Sequence, residues 1–260
     1  MAKPRTPHKI KRYGWVPDLP DARDHLYAAP APVMATLPPK ADLRPQCPPV
    51  YDQGQLGSCT ANAIAAAIQF DRMKESLTPN FVPSRLFIYY NERAIEGTIS
   101  TDSGAQIRDG IKTVGAQGAC PETVWPYVIT QFATKPPKLD YSEALGDRAV
   151  SYSRLTQNLN LLKGCLASGF PFVFGFTVYE SFESQAVAQS GMVPMPSPNE
   201  KTLGGHAVMA VGYDDTAQRF IVRNSWGPGW GISGYFMMPY AYVTDPNLAD
   251  DLWTIRLVAK

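Results

Sequence analysis

Histidine and cysteine are both scarce in this chain, with three of the first and four of the second among 260 residues. There is no CxxC pair, no HExxH run and no grouping of the few histidines, so the common zinc sites are excluded. Neither sign of charge is in surplus, since 24 basic side chains stand against 23 acidic ones. Without a basic stripe, nucleic acid is not an expected partner. Long hydrophobic runs are missing as well. Nothing approaches the roughly 20 apolar residues that span a bilayer, and no continuous apolar stretch follows the basic residues at the start. Neither a membrane contact nor a cleaved Sec signal is therefore expected, and the compartment is not legible.

What is present is ample material for a core: 45% of residues are hydrophobic, in a chain long enough for one large domain or two lobes. Three stretches carry the chemistry. In Gln53-Gly54-Gln55-Leu56-Gly57-Ser58-Cys59 an amide side chain stands six residues before a cysteine. The alanine-rich run that follows predicts a buried helix from Cys59 to about Lys74, with Ser58 as its N-cap. A cysteine on the first turn of a helix is favoured as thiolate, the attacking form. His206 stands in Leu203–Tyr213, which reads as a strand entered through two glycines, whereas His8 and His25 lie in a proline-rich N-terminal stretch. Asn224 follows the strand-like Arg219–Val222, and a hairpin through Asp214–Gln218 brings it to His206 as an acceptor for the imidazole N–H. Trp226 shields that bond. Each piece alone has a plainer reading, as a buried thiol, a strand histidine or a packed turn; their joint occurrence does not.

These motifs resemble those of the papain-like cysteine peptidases, in particular a small bacterial branch, over the chain from about Leu37 onwards. The resemblance implies Cys59 as nucleophile, His206 as base, Asn224 as its orienter and Gln53 as oxyanion donor, with Gln55 the nearby alternative amide. It implies an α+β fold of two lobes with the cleft between them: a helical lobe over about residues 45–148 and an antiparallel β-rich lobe over about 149–245, the termini crossing between them. Helices are expected near Ser84–Glu96 and Ala105–Gln117, and a strand at Gly169–Val178. Ser103-Gly104 corresponds to the loop that holds substrate backbone. Gly175, Gly205 and Ala207 border the pocket for the second residue before the cut, expected to be open and apolar. The substrate is a peptide or protein, and no cofactor or metal is called for. Leu56 replaces a cysteine that the family uses in a disulfide, and Gly205 stands where Asp or Asn is common. A Cys47–Cys120 bridge stays open.

Residues 1–36 are shorter than the helical prodomains of that family. Tyr13-Gly14-Trp15-Val16-Pro17-Asp18-Leu19-Pro20 is extended by its prolines and offers two aromatic anchors, Tyr13 and Trp15. The segment is therefore expected to lie over the cleft as a built-in restraint, so that the chain's own N-terminal segment is one of its partners. A transpeptidase, or a catalytically silent peptide-binding protein of the same fold, is the alternative reading.

Overall fold

A computed structural model describes residues 10, 12–147 and 151–256; His8 lies outside the described residues. Among these, the helices are α1 Ala31–Ala35, α2 Cys59–Lys74, α3 Arg85–Glu96, α4 Ile107–Gln117, α5 Lys138–Ala144, α6 Leu159–Ala167, α7 Gln185–Ser190 and α8 Tyr240–Val243. The strands are β1 Lys40–Asp42, β2 Ser151–Arg154, β3 Phe172–Tyr179, β4 Thr202–Asp214, β5 Arg219–Arg223, β6 Tyr235–Pro239 and β7 Ala249–Arg256. They form one antiparallel sheet in the order β2-β7-β3-β4-β5-β6, with β1 added to β4. The fold is α+β, with α2–α5 preceding the main strands.

Helix α2 is the axis of the molecule. Its alanines allow close approach on every side, every residue from Cys59 to Arg72 is buried, and it packs on α3 and α4 as well as on β4 and β7. Helix α3 starts where Ser84 Oγ accepts the Phe87 N–H at 3.1 Å and ends at Gly97, whose φ of +71° is the left-handed conformation of a helix stop. Helix α4 begins at Ile107 rather than at Ala105. The physical reason is that Ala105 is extended, giving its N–H to Gly14 O at 2.8 Å and accepting from Val16 N at 3.0 Å. Strand β3 likewise begins at Phe172, after Gly169 at φ +82° and Pro171, which has no N–H to give.

The N-terminal segment is laid across both halves. Trp15 makes a parallel bridge with Ala105 ahead of α4, Leu26 makes another with Arg154 of β2, and α1 packs on α6. His25, exposed, contributes only its carbonyl, to Arg154 N at 2.8 Å. All four cysteines are unbridged, so the open Cys47–Cys120 pairing does not occur.

Candidate active site

The tight β4–β5 hairpin pairs Met209 with Arg223 and so carries Asn224 to the side of His206. His206 Nε2 and Asn224 Oδ1 are 2.8 Å apart, and both side chains are buried. The carboxamide oxygen can only accept, so Nε2 carries the proton and Nδ1 is the nitrogen assigned to proton exchange. Asn224 Oδ1 also takes the Ser225 N–H at 2.8 Å, which fixes its rotamer. Trp226 stacks on the imidazole with centroids 5.1 Å apart, and Phe176 meets the ring edge-on at 5.7 Å. This aromatic wall keeps water from the His–Asn bond.

Cys59 opens α2 and is buried. Ser58 takes the N-cap position, as expected, its carbonyl accepting the Asn62 N–H at 3.0 Å, but its side chain makes no capping bond. Its hydroxyl is 2.5 Å from the Tyr127 hydroxyl and 3.1 Å from Asn62 Nδ2, and those side chains occupy it instead. The amide N–H groups of Ala207 and Gly14 point to the Cys59 sulfur and favour its ionised form, but complete burial outweighs them and pushes the thiol up to about 12. With the segment in place, burial works against the thiolate that a helix N-terminus favours.

Gln53 is buried and locked from both ends. Its Oε1 accepts from Ser225 Oγ at 2.6 Å, its Nε2 donates to Leu56 O at 3.0 Å, and its own backbone N–H goes to Ser225 O at 2.9 Å. One Nε2 hydrogen remains beyond the bond to Leu56. Gln55, two residues on, is exposed. The six-residue spacing thus separates the two amides cleanly.

The segment occupies the cleft in atomic contact with these groups. A Cβ on Gly14 would lie 1.7 Å from Gly57 O, and one on Gly104 would lie 2.2 Å from Gly14 O. Only glycines allow this approach. The Gly14 carbonyl is spent on Ala105 N, so the group turned to the sulfur is an amide N–H. The Tyr13 hydroxyl donates to Glu183 Oε1 at 2.5 Å while its ring meets His206 edge-on at 5.9 Å. Trp15 lies against Gly175 and Gly205, where added Cβ atoms would fall 1.9 Å and 2.7 Å from its indole, and its backbone N–H reaches Gly205 O at 2.8 Å. Ala207 faces Gly175 across the β3–β4 pair, and Asp250 faces it across β7.

In the Ser103-Gly104 loop Gly104 abuts the segment, while the Ser103 hydroxyl bonds Thr98 Oγ1 and Gly104 O within the loop and the next residue, Ala105, makes the backbone bonds. The pocket is apolar only in its walls. At its base the buried Asp251 carboxylate takes the Trp15 indole N–H at 3.0 Å and the Asp18 N–H at 2.8 Å. Sequence reasoning missed Asp251, and also Asp102, whose carboxylate holds Gly57 N at 3.0 Å and accepts the Tyr89 hydroxyl. Both act across long separations that no local pattern encodes.

Asp18 is a buried acid of the docked segment. It takes Arg108 N at 3.0 Å and Trp253 Nε1 at 3.0 Å, and it faces Asp251, Asp24, Arg108 and Arg154. Burial, then the charge of Asp251, pushes its carboxyl up to about 7. A free Asp titrates near 3.9. The docked segment therefore holds a proton that the undocked one releases, so docking is strongest below about pH 4, weakens as pH rises to about 7, and is weakest above that. The protection of the Trp15 and Val16 amides against hydrogen exchange, corrected for intrinsic rate, should fall by tenfold to about 10²-fold between pH 5 and pH 8. Unchanged protection would remove Asp18 from the latch.

The family model described as papain family cysteine protease matches residues 37–251. A peptidase C1-like protein of Acanthamoeba polyphaga mimivirus is 46% identical, over 95% of this chain and 88% of its own. Xylellain, a cysteine protease from Xylella fastidiosa, superposes with a TM-score of 0.92 at 47% identity, each chain being covered completely. The cathepsin B-like CP3 of Giardia intestinalis is 30% identical over 74% of this chain and 64% of its own.

Proposed function

This chain belongs to the papain family and is a cysteine peptidase, and we propose that it cuts peptide bonds through a Cys59 thioester while its own N-terminal segment restrains the cleft. The observation that carries the mechanism is the His206 Nε2–Asn224 Oδ1 bond at 2.8 Å, which puts the ring proton on Nε2 and leaves Nδ1 as the nitrogen able to take the Cys59 proton. With the segment withdrawn, the thiol proton passes to Nδ1 and the sulfur attacks the scissile carbonyl. The oxyanion is met by the Cys59 N–H and by Gln53 Nε2. His206 then protonates the leaving amine and afterwards takes a proton from the water that hydrolyses the thioester. Gly175, Gly205 and Ala207 border the pocket for the second residue before the cut, and Gly104 with Ala105 lines the backbone track. Restraint is supported by the contact itself: the Gly14 amide stands at the sulfur, and the Gly14 carbonyl takes the Ala105 N–H in the track that substrate backbone would use.

Gln53→Ala should lower kcat by about 10²-fold or somewhat more with little change in KM, the usual result of losing one oxyanion donor. Gln55→Ala should be nearly silent, since that side chain is exposed. Asn224→Ala should fall between loss of the base and no effect, because the imidazole stays but loses its orienting acceptor. Steady-state kinetics on a fluorogenic peptide checks all three, and the reverse order for the two glutamines would reject the oxyanion assignment.

A further inference from the structure

The oxyanion needs two donors held at a fixed separation, the Cys59 N–H at the start of α2 and the Gln53 side chain in the loop before it. Gln53 is tied to Ser225, next to Asn224, through its N–H and its Oε1. On the helical side a single group spans the loop. The Tyr127 hydroxyl lies 3.0 Å from Gln53 O and 2.5 Å from Ser58 Oγ, so it joins the residue that carries one donor to the residue directly before the other.

The sense of each bond in this link is settled by what stands behind it. The Arg85 guanidinium can only donate, and its Nη1 is 3.0 Å from Asn62 Oδ1 and 3.0 Å from Asp52 O. Asn62 therefore turns Nδ2 to Ser58, giving hydrogens to Ser58 O at 2.9 Å and to Ser58 Oγ at 3.1 Å. Ser58 Oγ, accepting from Asn62, donates to Tyr127, and the Tyr127 proton goes to Gln53 O. Arg85 is itself held by Glu122 at 2.8 Å and lies 3.9 Å from the Tyr127 ring centroid, which fixes the ring by its face. Gln53, Ser58 and Asn62 are buried, so bulk water does not compete for these bonds.

We infer that Tyr127 is a positioning residue of the oxyanion site: its hydroxyl fixes Gln53 against the start of α2, while Arg85 and Asn62 set the sense of the bonds. It acts through Gln53 and not on substrate. This rests on the peptidase reading and extends the site to the loop after α4.

The test compares full-length wild type, Tyr127→Phe, Gln53→Ala and the double variant by steady-state hydrolysis of a fluorogenic peptide. The same proteins are compared by the rate at which iodoacetamide alkylates Cys59, read by mass spectrometry. Tyr127→Phe keeps the ring on Arg85 and loses only the hydroxyl. Hydrolysis passes through an oxyanion and alkylation does not, whereas both need the segment withdrawn, so their ratio isolates the oxyanion site. Tyr127→Phe should lower kcat by about tenfold with KM and the alkylation rate each changed by less than about twofold, and in the Gln53→Ala background it should cost no more than about twofold. Ser58→Ala opens the same link from its other end, and it removes no bond to a helix N–H. It should show the same pattern, and it decides alone if Tyr127→Phe does not fold. An unchanged kcat overturns the proposal, as does alkylation that falls in parallel with hydrolysis, or a loss as large without the Gln53 side chain as with it. Wild-type protein that is alkylated at Cys59 yet hydrolyses no peptide contradicts the peptidase reading, and the proposal falls with it.

Discussion

Cys59→Ala protein should fold normally and lose peptidase activity by about 10⁴-fold or more, and His206→Ala should do the same. The sulfur is the group placed at the start of α2 with Ala207 N–H beside it, and no second thiol replaces it. Cys47, Cys120 and Cys165 titrate upward through burial and lie away from His206 in sequence and in their contacts. His206 is the histidine oriented by an asparagine; His25 is exposed on the segment. Losing either member disables the pair, so the double variant should be no worse than either single one. Purified Cys59→Ala protein that still turns over peptide at a substantial rate would end the assignment.

The second large effect concerns a single methyl group. Gly14→Ala places a Cβ 1.7 Å from Gly57 O, against backbone that is itself held by Asp102, so there is no side chain to step aside. The segment must lift from the cleft there. Trp15→Ala acts differently, by emptying the pocket and breaking the bond to Asp251. Truncating a buried tryptophan costs about 3–5 kcal/mol, which at about 1.4 kcal/mol per tenfold corresponds to between two and four powers of ten in the docking equilibrium. Both variants should therefore raise peptidase activity strongly, although Tyr13 and the Asp18–Arg108 contacts remain. Wild-type activity equal to that of both variants would mean that the segment does not restrain the enzyme.

The parts of the fold that were legible in the sequence are those governed by local chemistry. The alanine-rich run after Cys59 indicated a helix to about Lys74, where α2 ends, a helix expected near Ser84–Glu96 is α3, and the β4–β5 hairpin follows from two β-rich runs around Asp214–Gln218. That hairpin is what sets Asn224 beside His206, and α2 is what carries Cys59, whereas the choice of Gln53, in the loop before α2, came from the family resemblance. The pocket floor was not. Asp251 and Trp15 are 236 positions apart, and only the β7–β3–β4 arrangement brings an acid beneath Gly175. The burial of the Cys59 sulfur was hidden for a similar reason. A helix N-terminus favours ionisation by itself, burial beneath Gly14 works against it, and burial is a property of the assembled chain. Ser58 shows the same limit at small scale. It holds the expected N-cap position, yet Tyr127 takes its hydroxyl in place of a helix N–H.

The most direct measurement is the rate at which a peptidyl epoxide alkylates the full-length protein, with the adduct mapped by mass spectrometry. A cysteine peptidase restrained by its own segment should be modified slowly and at Cys59 alone. Gly14→Ala and Trp15→Ala should each be modified at the same sulfur at least tenfold faster, and His206→Ala hardly at all. Equal rates in all four proteins, or an adduct on Cys47, Cys120 or Cys165 in place of Cys59, would contradict the account.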